Sequence, residues 1–256
     1  MSLSITFLGT GTSHGVPMIA CSCDVCTSTD PRNRRTRTSA VVSNGSSNIL
    51  IDTSPELRLQ AVAVGLARLD AVLITHAHAD HIFGLDDIRR FNEIQGCAIP
   101  CYGSADTLES VRVAFDYVFA STQEGGGLPR IRLKPVSDPF EVAGMTIRPV
   151  PIFHGELPIF GYRIGKLAYL TDCSRIPDES LTLLRDLDVL ALGALRPKPH
   201  PTHFTIDQAV EVARHISARR TYFVHMSHRV DYQKTNSRLP DGIELAYDGL
   251  EVDVED

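Results

Sequence analysis

Apolar residues in this chain come in short runs separated by polar or glycine-bearing turns, and the runs alternate between two kinds. Those at residues 4–8, 39–43, 48–52, 71–74, 98–102, 131–133, 140–142, 146–151, 161–164, 167–171, 187–192 and 221–224 are of strand length and β-branched or aromatic in character, which predicts β-strands. Between them the apolar positions recur at helical spacing, as in Leu85, Ile88 and Phe91 of a segment expected to be helical from about residue 82. Further helices are expected over 106–118, 178–185 and 206–217, and one is expected to start at Ser54-Pro55-Glu56, with Ser54 as cap and Pro55 first in the helix. Asn44-Gly45 predicts a hairpin turn, and Asp248-Gly249 a second one joining 243–247 to 250–254 and closing the second of two sheets. The glycine-rich stretch 121–129 separates two halves and is expected to be a long loop, either a lid or substrate-shaping loop or a plain surface connection. Strands and helices alternating in this way predict an α/β fold.

Size and composition narrow the class. The 256 residues are 43% hydrophobic and 22% charged, enough apolar material for one core, and no linker or repeat divides them, so a single domain over 1–256 is expected. The start carries no basic leader and no run approaches the ~20 apolar residues of a membrane span, so a cytoplasmic protein with no membrane partner is expected. A net charge of −6 argues against broad binding to nucleic acid. The basic run Arg32-Asn33-Arg34-Arg35-Thr36-Arg37 reads as a solvated loop.

Two clusters carry chemistry. In Thr75-His76-Ala77-His78-Ala79-Asp80-His81, four metal-donor side chains follow directly on the strand 71–74. Side chains two apart on extended backbone project to one side, so His76 and His78 can close on one ion while Asp80 and His81 turn to a second. Cys21, Cys23 and Cys26 form a CxCxxC loop at about 20–27, whose thiolates lack only a fourth ligand for a closed tetrahedral zinc site. Gly9-Thr10-Gly11-Thr12-Ser13-His14-Gly15 allows close approach of backbone to a ligand but lacks the spacing of a phosphate loop. Cys173 reads as a packing residue.

The HxHxDH segment resembles the signature of the metallo-β-lactamase superfamily of metal-dependent hydrolases, and the chain as a whole resembles the PhnP type of phosphodiesterase, which opens a cyclic ribosyl phosphate. The resemblance implies a four-layered αββα sandwich. It implies two divalent transition-metal ions (zinc, manganese or iron), one on His76, His78 and His154, the other on Asp80, His81 and His225, with Asp172 bridging. It implies a structural zinc on Cys21, Cys23, Cys26 and His228, Asp52 bracing the metal loop, and His203 as general acid in preference to His200, Asp80 and His203 being the catalytic pair. Thr205 can cap the helix after His203. The implied substrate is a small phosphate ester, cyclic in the related family, and a homodimer is compatible with the resemblance. Asp52-Thr53-Ser54 stands where the superfamily more usually has Asp-x-Gly. A nuclease of the tRNA 3′-processing type, a thioester or lactone hydrolase, and a non-catalytic protein like the one in pyrroloquinoline-quinone biosynthesis are the competing readings. Arg175, Arg196, Lys198 and Arg229 lie near the implied site loops, none assigned to substrate.

Overall fold

The computed structural model describes residues 3–120 and 127–255; residues 121–126, the first part of the loop expected over 121–129, lie outside them. The first sheet is formed by β1 (Leu3–Gly9), β2 (Ser39–Ser43), β3 (Asn48–Ile51), β4 (Ala71–Leu73), β5 (Ile99–Gly103) and β6 (Ile131–Pro135), with a strand from the far end of the chain beside β1. The second is formed by β7 (Phe140–Val142), β8 (Met145–His154), β9 (Leu157–Ile164), β10 (Leu167–Leu170), β11 (Val189–Gly193), β12 (Arg220–Val224) and β13 (Ile243–Leu245). The strand beside β1 is β14 (Glu251–Val254).

Alternation along these strands sends one set of side chains between the sheets and the other outward. Ile5, Phe7, Val42, Ile49 and Leu73 meet Ile147, Tyr162, Tyr169, Val189 and Val224 in the middle layer. The outer face of the first sheet is covered by α1 (Leu57–Ala63), α2 (Ala79–Ile82), α3 (Ile88–Gln95) and α4 (Ala105–Ala114), followed by the short α5 (Asp116–Phe119). The outer face of the second is covered by α6 (Asp178–Thr182), α7 (Ile206–Ile216) and α8 (Tyr232–Asn236), with Ala209, Ala213, Ile216 and Tyr232 packed on it. Two sheets face to face with helices outside are the four-layered αββα sandwich of the metallo-β-lactamase fold.

The topology places the donor residues. Strands β3, β4, β5 and β6 run parallel, as do β10, β11, β12 and β13, so their C-terminal ends gather at one edge of each sheet. Asp52 follows β3, the HxHxDH segment follows β4, Asp172 follows β10 and His225 follows β12. His154 arrives on the antiparallel hairpin β8–β9 as the last residue of β8.

Several sequence expectations change. The two terminal strands are not a hairpin and do not share a sheet: β13 pairs with β12, whereas β14 pairs with β1 across the molecule. Between them the Asp248 carboxylate accepts from the backbone N–H and hydroxyl of Thr10 and of Thr36, which draws the chain over to the first sheet. The helix expected at Ser54 begins at Leu57 with Glu56 as its cap residue, because the Ser54 hydroxyl is spent on Gln60 Oε1. The metal-loop helix is interrupted at Gly84, where a Cβ would lie 2.0 Å from the Ser54 carbonyl oxygen. The helix expected over 106–118 breaks at Phe115. Arg35, in the run read as solvated, is 1% exposed.

Candidate metal centre

Asp52, Asp172 and His225 all leave their strands in the left-handed region, with φ of 61°, 53° and 60°. Non-glycine residues rarely hold that conformation, and they concentrate where surrounding structure over-determines a functional geometry. Here the turn swings each side chain off its sheet edge and into the space between the two halves. Asp52 stays behind the cluster: its Oδ1 accepts from the Thr75 N–H and its Oδ2 from the Thr75 hydroxyl and His81 Nδ1. Thr53 accepts from Gly84 N–H, and its own N–H and hydroxyl donate to the carbonyls of His81 and Ile82. The departure from Asp-x-Gly therefore adds bonds that hold the metal loop.

The seven histidine and aspartate groups expected around two ions do converge, in two sets that Asp172 faces from between. His76, His78 and His154 bring one nitrogen each within 4.8 Å of one another, as do the donor atoms of Asp80, His81, Asp172 and His225. Asp172 faces both sets: Oδ2 lies 3.9 Å from His76 Nε2 and 4.0 Å from His154 Nε2, while Oδ1 lies 3.3 Å from His81 Nε2 and 2.9 Å from His225 Nδ1. Despite that proximity, His81 Nε2 and His225 Nδ1 are buried without a hydrogen-bond partner among the described residues. With Asp80 and Asp172 they form a compact set of nitrogen and oxygen donors, of the kind that a divalent ion takes as ligands. The remaining ring nitrogens are held from behind. His154 Nδ1 lies 2.8 Å from the Thr202 carbonyl oxygen, and His76 Nδ1 lies 3.0 Å from the Thr75 hydroxyl, leaving each Nε2 to face the cluster. Thr75 and Thr202 carry no donor signature in the sequence, and only their place beside ligand positions could have pointed to them.

Charge within the cluster is strongly coupled. Burial pushes the His76 pKa well below the ordinary histidine value, and His81 adds to this. Burial also opposes charge on His81, but the Asp172 and Asp52 carboxylates outweigh it and hold its pKa well above the ordinary value. For Asp172 burial is outweighed by His225 and His81, and its pKa lies well below the usual carboxylate range. An anionic, buried carboxylate surrounded by imidazoles is a donor set ready for cations.

His203 stands at the rim, its ring 4.6 Å from that of His154 and 5.0 Å from that of His225. Burial, then His225, pushes it down to about 3, so it is neutral in the bare cluster at pH 7. His200 sits one position further out, 5.0 Å from the His203 ring and with Nδ1 3.2 Å from the Thr202 hydroxyl. Thr205 caps α7 in a full capping box with Gln208, which anchors the segment behind His203. A cavity of about 370 Å³ opens beside these rings, lined by His14, His200, His203, Arg196 and Arg229 among others. Arg175 instead stacks on Phe153 at 3.6 Å, and Lys198 contributes its carbonyl to Arg196. Larger cavities, of about 880 and 660 Å³, lie along α1 and between α7 and α8, away from the donor cluster.

The second cluster is equally compact. Cys21, Cys23, Cys26 and His228 bring their donor atoms within 4.8 Å of one another, with His228 Nδ1 3.2 Å from Cys21 Sγ and 3.4 Å from Cys23 Sγ. A backbone N–H at Cys26 draws the Cys23 thiol down to about 6, while burial pushes Cys26 up to about 11. Four donors with no open position fit a closed tetrahedral zinc site. Cys173 is fully buried in the outer core of the second sheet.

This sandwich is that of the metallo-β-lactamase superfamily, and the chain belongs to it: the family model described as “Beta-lactamase superfamily domain” matches residues 47–226. Within it, the chain is similar to a crystallographically solved diphosphatase from the PhnP family, at 45% identity and a TM-score of 0.93 over 99% of this chain and 97% of that one. It is 41% identical over 254 residues to an octanoyltransferase of Porphyromonas gingivalis, a match covering 97% of this chain and 51% of that protein. The chain thus spans about half the length of that relative. Zn2+-bound PqqB from Methylobacterium extorquens shares the fold, with a TM-score of 0.79 at 20% identity over 97% of this chain and 99% of that one.

Proposed function

We propose that the chain is a dinuclear-metal phosphodiesterase that hydrolyses a small phosphate ester, cyclic esters included, with His203 as general acid. The observation that carries this reading is Asp172, whose two oxygens address two separate histidine sets. His76, His78 and His154 would hold one ion and Asp80, His81 and His225 the other. A pair of divalent ions there would lower the pKa of a water to ~7 and polarise the phosphoryl oxygens. Thr202 and Asp52 keep the ligand rings aimed. His203, 4.6 Å from His154 and 5.0 Å from His225 ring to ring, is within reach of a leaving oxygen departing from that point. The negative charge of a bound phosphoryl group would favour its protonated form, against the burial and then the His225 repulsion that lower its pKa. Cys21, Cys23, Cys26 and His228 would hold a structural zinc.

The test is turnover of bis-p-nitrophenyl phosphate and of 2′,3′-cyclic nucleotides by protein loaded with Zn2+, Mn2+ or Fe2+, with metal content measured. Two ions per chain beyond the sulfur-bound zinc, with hydrolysis of either ester, support the reading. No hydrolysis of either at full metal load, with hydrolysis of thioesters or lactones in their place, overturns it. The octanoyltransferase relative gives that acyl arm its point, although its named activity belongs to a protein of which this chain matches 51%.

A further inference from the structure

Arg35 is the largest fully buried side chain of the described residues, at 1% exposure, and no carboxylate pairs with it. Asp248, Asp231 and Asp30 attract it only from a distance. Its Nη1 donates to the Ser227 carbonyl at 3.3 Å and its Nη2 to Asn33 Oδ1 at 3.1 Å, while Nε has no partner. A guanidinium stays charged in a protein, and a buried charge without a counter-ion is costly unless something nearby offsets it. The proposed function contains such an offset: a divalent ion on three thiolates and a neutral imidazole carries a net charge of about −1. The loop holding those thiolates starts from Val16, which exchanges both backbone hydrogen bonds with Arg35 at 2.8 Å, and Cys26 Sγ accepts from the N–H of Met18 at 3.3 Å.

The acceptor matters more than the charge. Ser227 lies between His225, in the aspartate–histidine set, and His228, in the sulfur set. Backbone bonds hold this segment on its other sides: Met226 with Thr10 and Thr12, and Ser227 N–H with the Leu195 carbonyl. Asn33, which positions Arg35, also accepts from Tyr232 N–H, just past the same segment. Gly11 leaves room for this strand to come close, since a Cβ there would lie 2.7 Å from the Arg35 carbonyl oxygen.

We propose that Arg35 is a positioning residue that couples the two metal stations: by fixing the Ser227 carbonyl it sets His225 and His228 together, so that filling the sulfur site with zinc raises the affinity of the His225 station for its ion. The coupling rests on the metal-binding half of the proposed function and is independent of which ester is hydrolysed.

The test is a thermodynamic cycle on metal-stripped protein given one equivalent of Zn2+ for the sulfur site and then titrated with Co2+, whose visible spectrum reports the histidine station, for the wild type, Arg35→Met, Cys23→Ser and the double variant. Each single change is expected to weaken Co2+ binding at the histidine station about tenfold to a hundredfold, the usual effect of disturbing a group that orients a ligand. The double variant is expected to bind no more weakly than the weaker single one. Unchanged affinity in Arg35→Met, or two effects that simply multiply, overturns the coupling, even where thermal stability falls. If Arg35→Met does not fold, Arg35→Lys keeps the charge and loses the two-pronged contact, and is expected to fall between wild type and Cys23→Ser; wild-type affinity there overturns the proposal. A wild type that binds Co2+ and hydrolyses no ester removes the reaction and leaves the coupling standing, whereas one that binds no Co2+ removes both.

Discussion

Asp52 Oδ2 lies 2.7 Å from Nδ1 of His81, with both side chains fully buried, so the far nitrogen of that ring has one direction left and it is toward Asp80 and Asp172. Asp52 also takes both donors of Thr75, and Thr75 in turn meets His76 Nδ1. One carboxylate outside the donor sets therefore aims a ring in each. Removing it as Asp52→Ala is expected to weaken the binding of both active-site ions by ~10- to 100-fold. Metal titration followed by calorimetry checks this; loss confined to one ion would show that the link through Thr75 carries nothing.

How much of this was legible in the chain depended on distance along it. HxHxDH and CxCxxC announce themselves because donors crowd within a few positions, and the apolar strand directly before HxHxDH places that segment at a sheet end. His154, Asp172, His203, His225 and His228 each stand nearly alone, and only family resemblance singled them out; the fold then brings Asp172 and His225 together because parallel β10 and β12 end at one edge of the second sheet, and delivers His154 on the antiparallel β8–β9 hairpin. The terminal hairpin failed for a physical reason. Asp248-Gly249 has the composition of a tight turn, but the carboxylate is claimed by Thr10 and Thr36, which lie 238 and 212 positions away. Likewise a run of four arginines reads as solvated until the fold buries Arg35 against Ser227, an acceptor no local pattern can reveal.

Zinc binding at the sulfur station should release protons in a pattern set by its two perturbed thiols. Cys26, pushed up to about 11, is still protonated at pH 7.5 and gives up close to one proton on binding; Cys23, drawn down to about 6, is already thiolate there and gives up almost none. At pH 5 Cys23 is protonated as well, so release rises and apparent affinity falls. Calorimetry in buffers of different ionisation enthalpy measures the count directly, and the same release at both pH values would contradict this assignment.

Acid should loosen the far edge of the second sheet before it reaches the core. Asp188 is buried, which opposes its charge, but Arg219, the Glu255 N–H and Arg220 outweigh burial and hold it at about 2. A carboxylate whose pKa is depressed in the folded state stabilises the fold above its unfolded value of 3.8, and that contribution is lost as pH falls through about 2. Arg219 is 51% exposed, so solvent screening reduces the effect to on the order of 1–2 kcal/mol. Asp188→Asn should lower stability at neutral pH by that amount and flatten its dependence between pH 4 and 2, as read by urea unfolding across that range. An unchanged acid limb in the variant would show that other carboxylates govern it.

The proposed proton donor can be separated from a structural histidine by the choice of leaving group. His203 stacks on His225 at 17° between ring planes and is half-buried at the rim rather than inside either donor set. Proton donation matters in proportion to the basicity of the departing oxygen: p-nitrophenolate leaves without help, whereas a ribose alkoxide does not. His203→Ala should therefore lower kcat for a cyclic nucleotide by ~10²- to 10⁴-fold while changing that for bis-p-nitrophenyl phosphate by less than about tenfold. His200→Ala, one ring further from His154, should leave the ratio of the two substrates unchanged. Equal losses on both esters in His203→Ala would mean that the ring only shapes the pocket, and a ratio that shifts with His200 instead would move the acid one position outward.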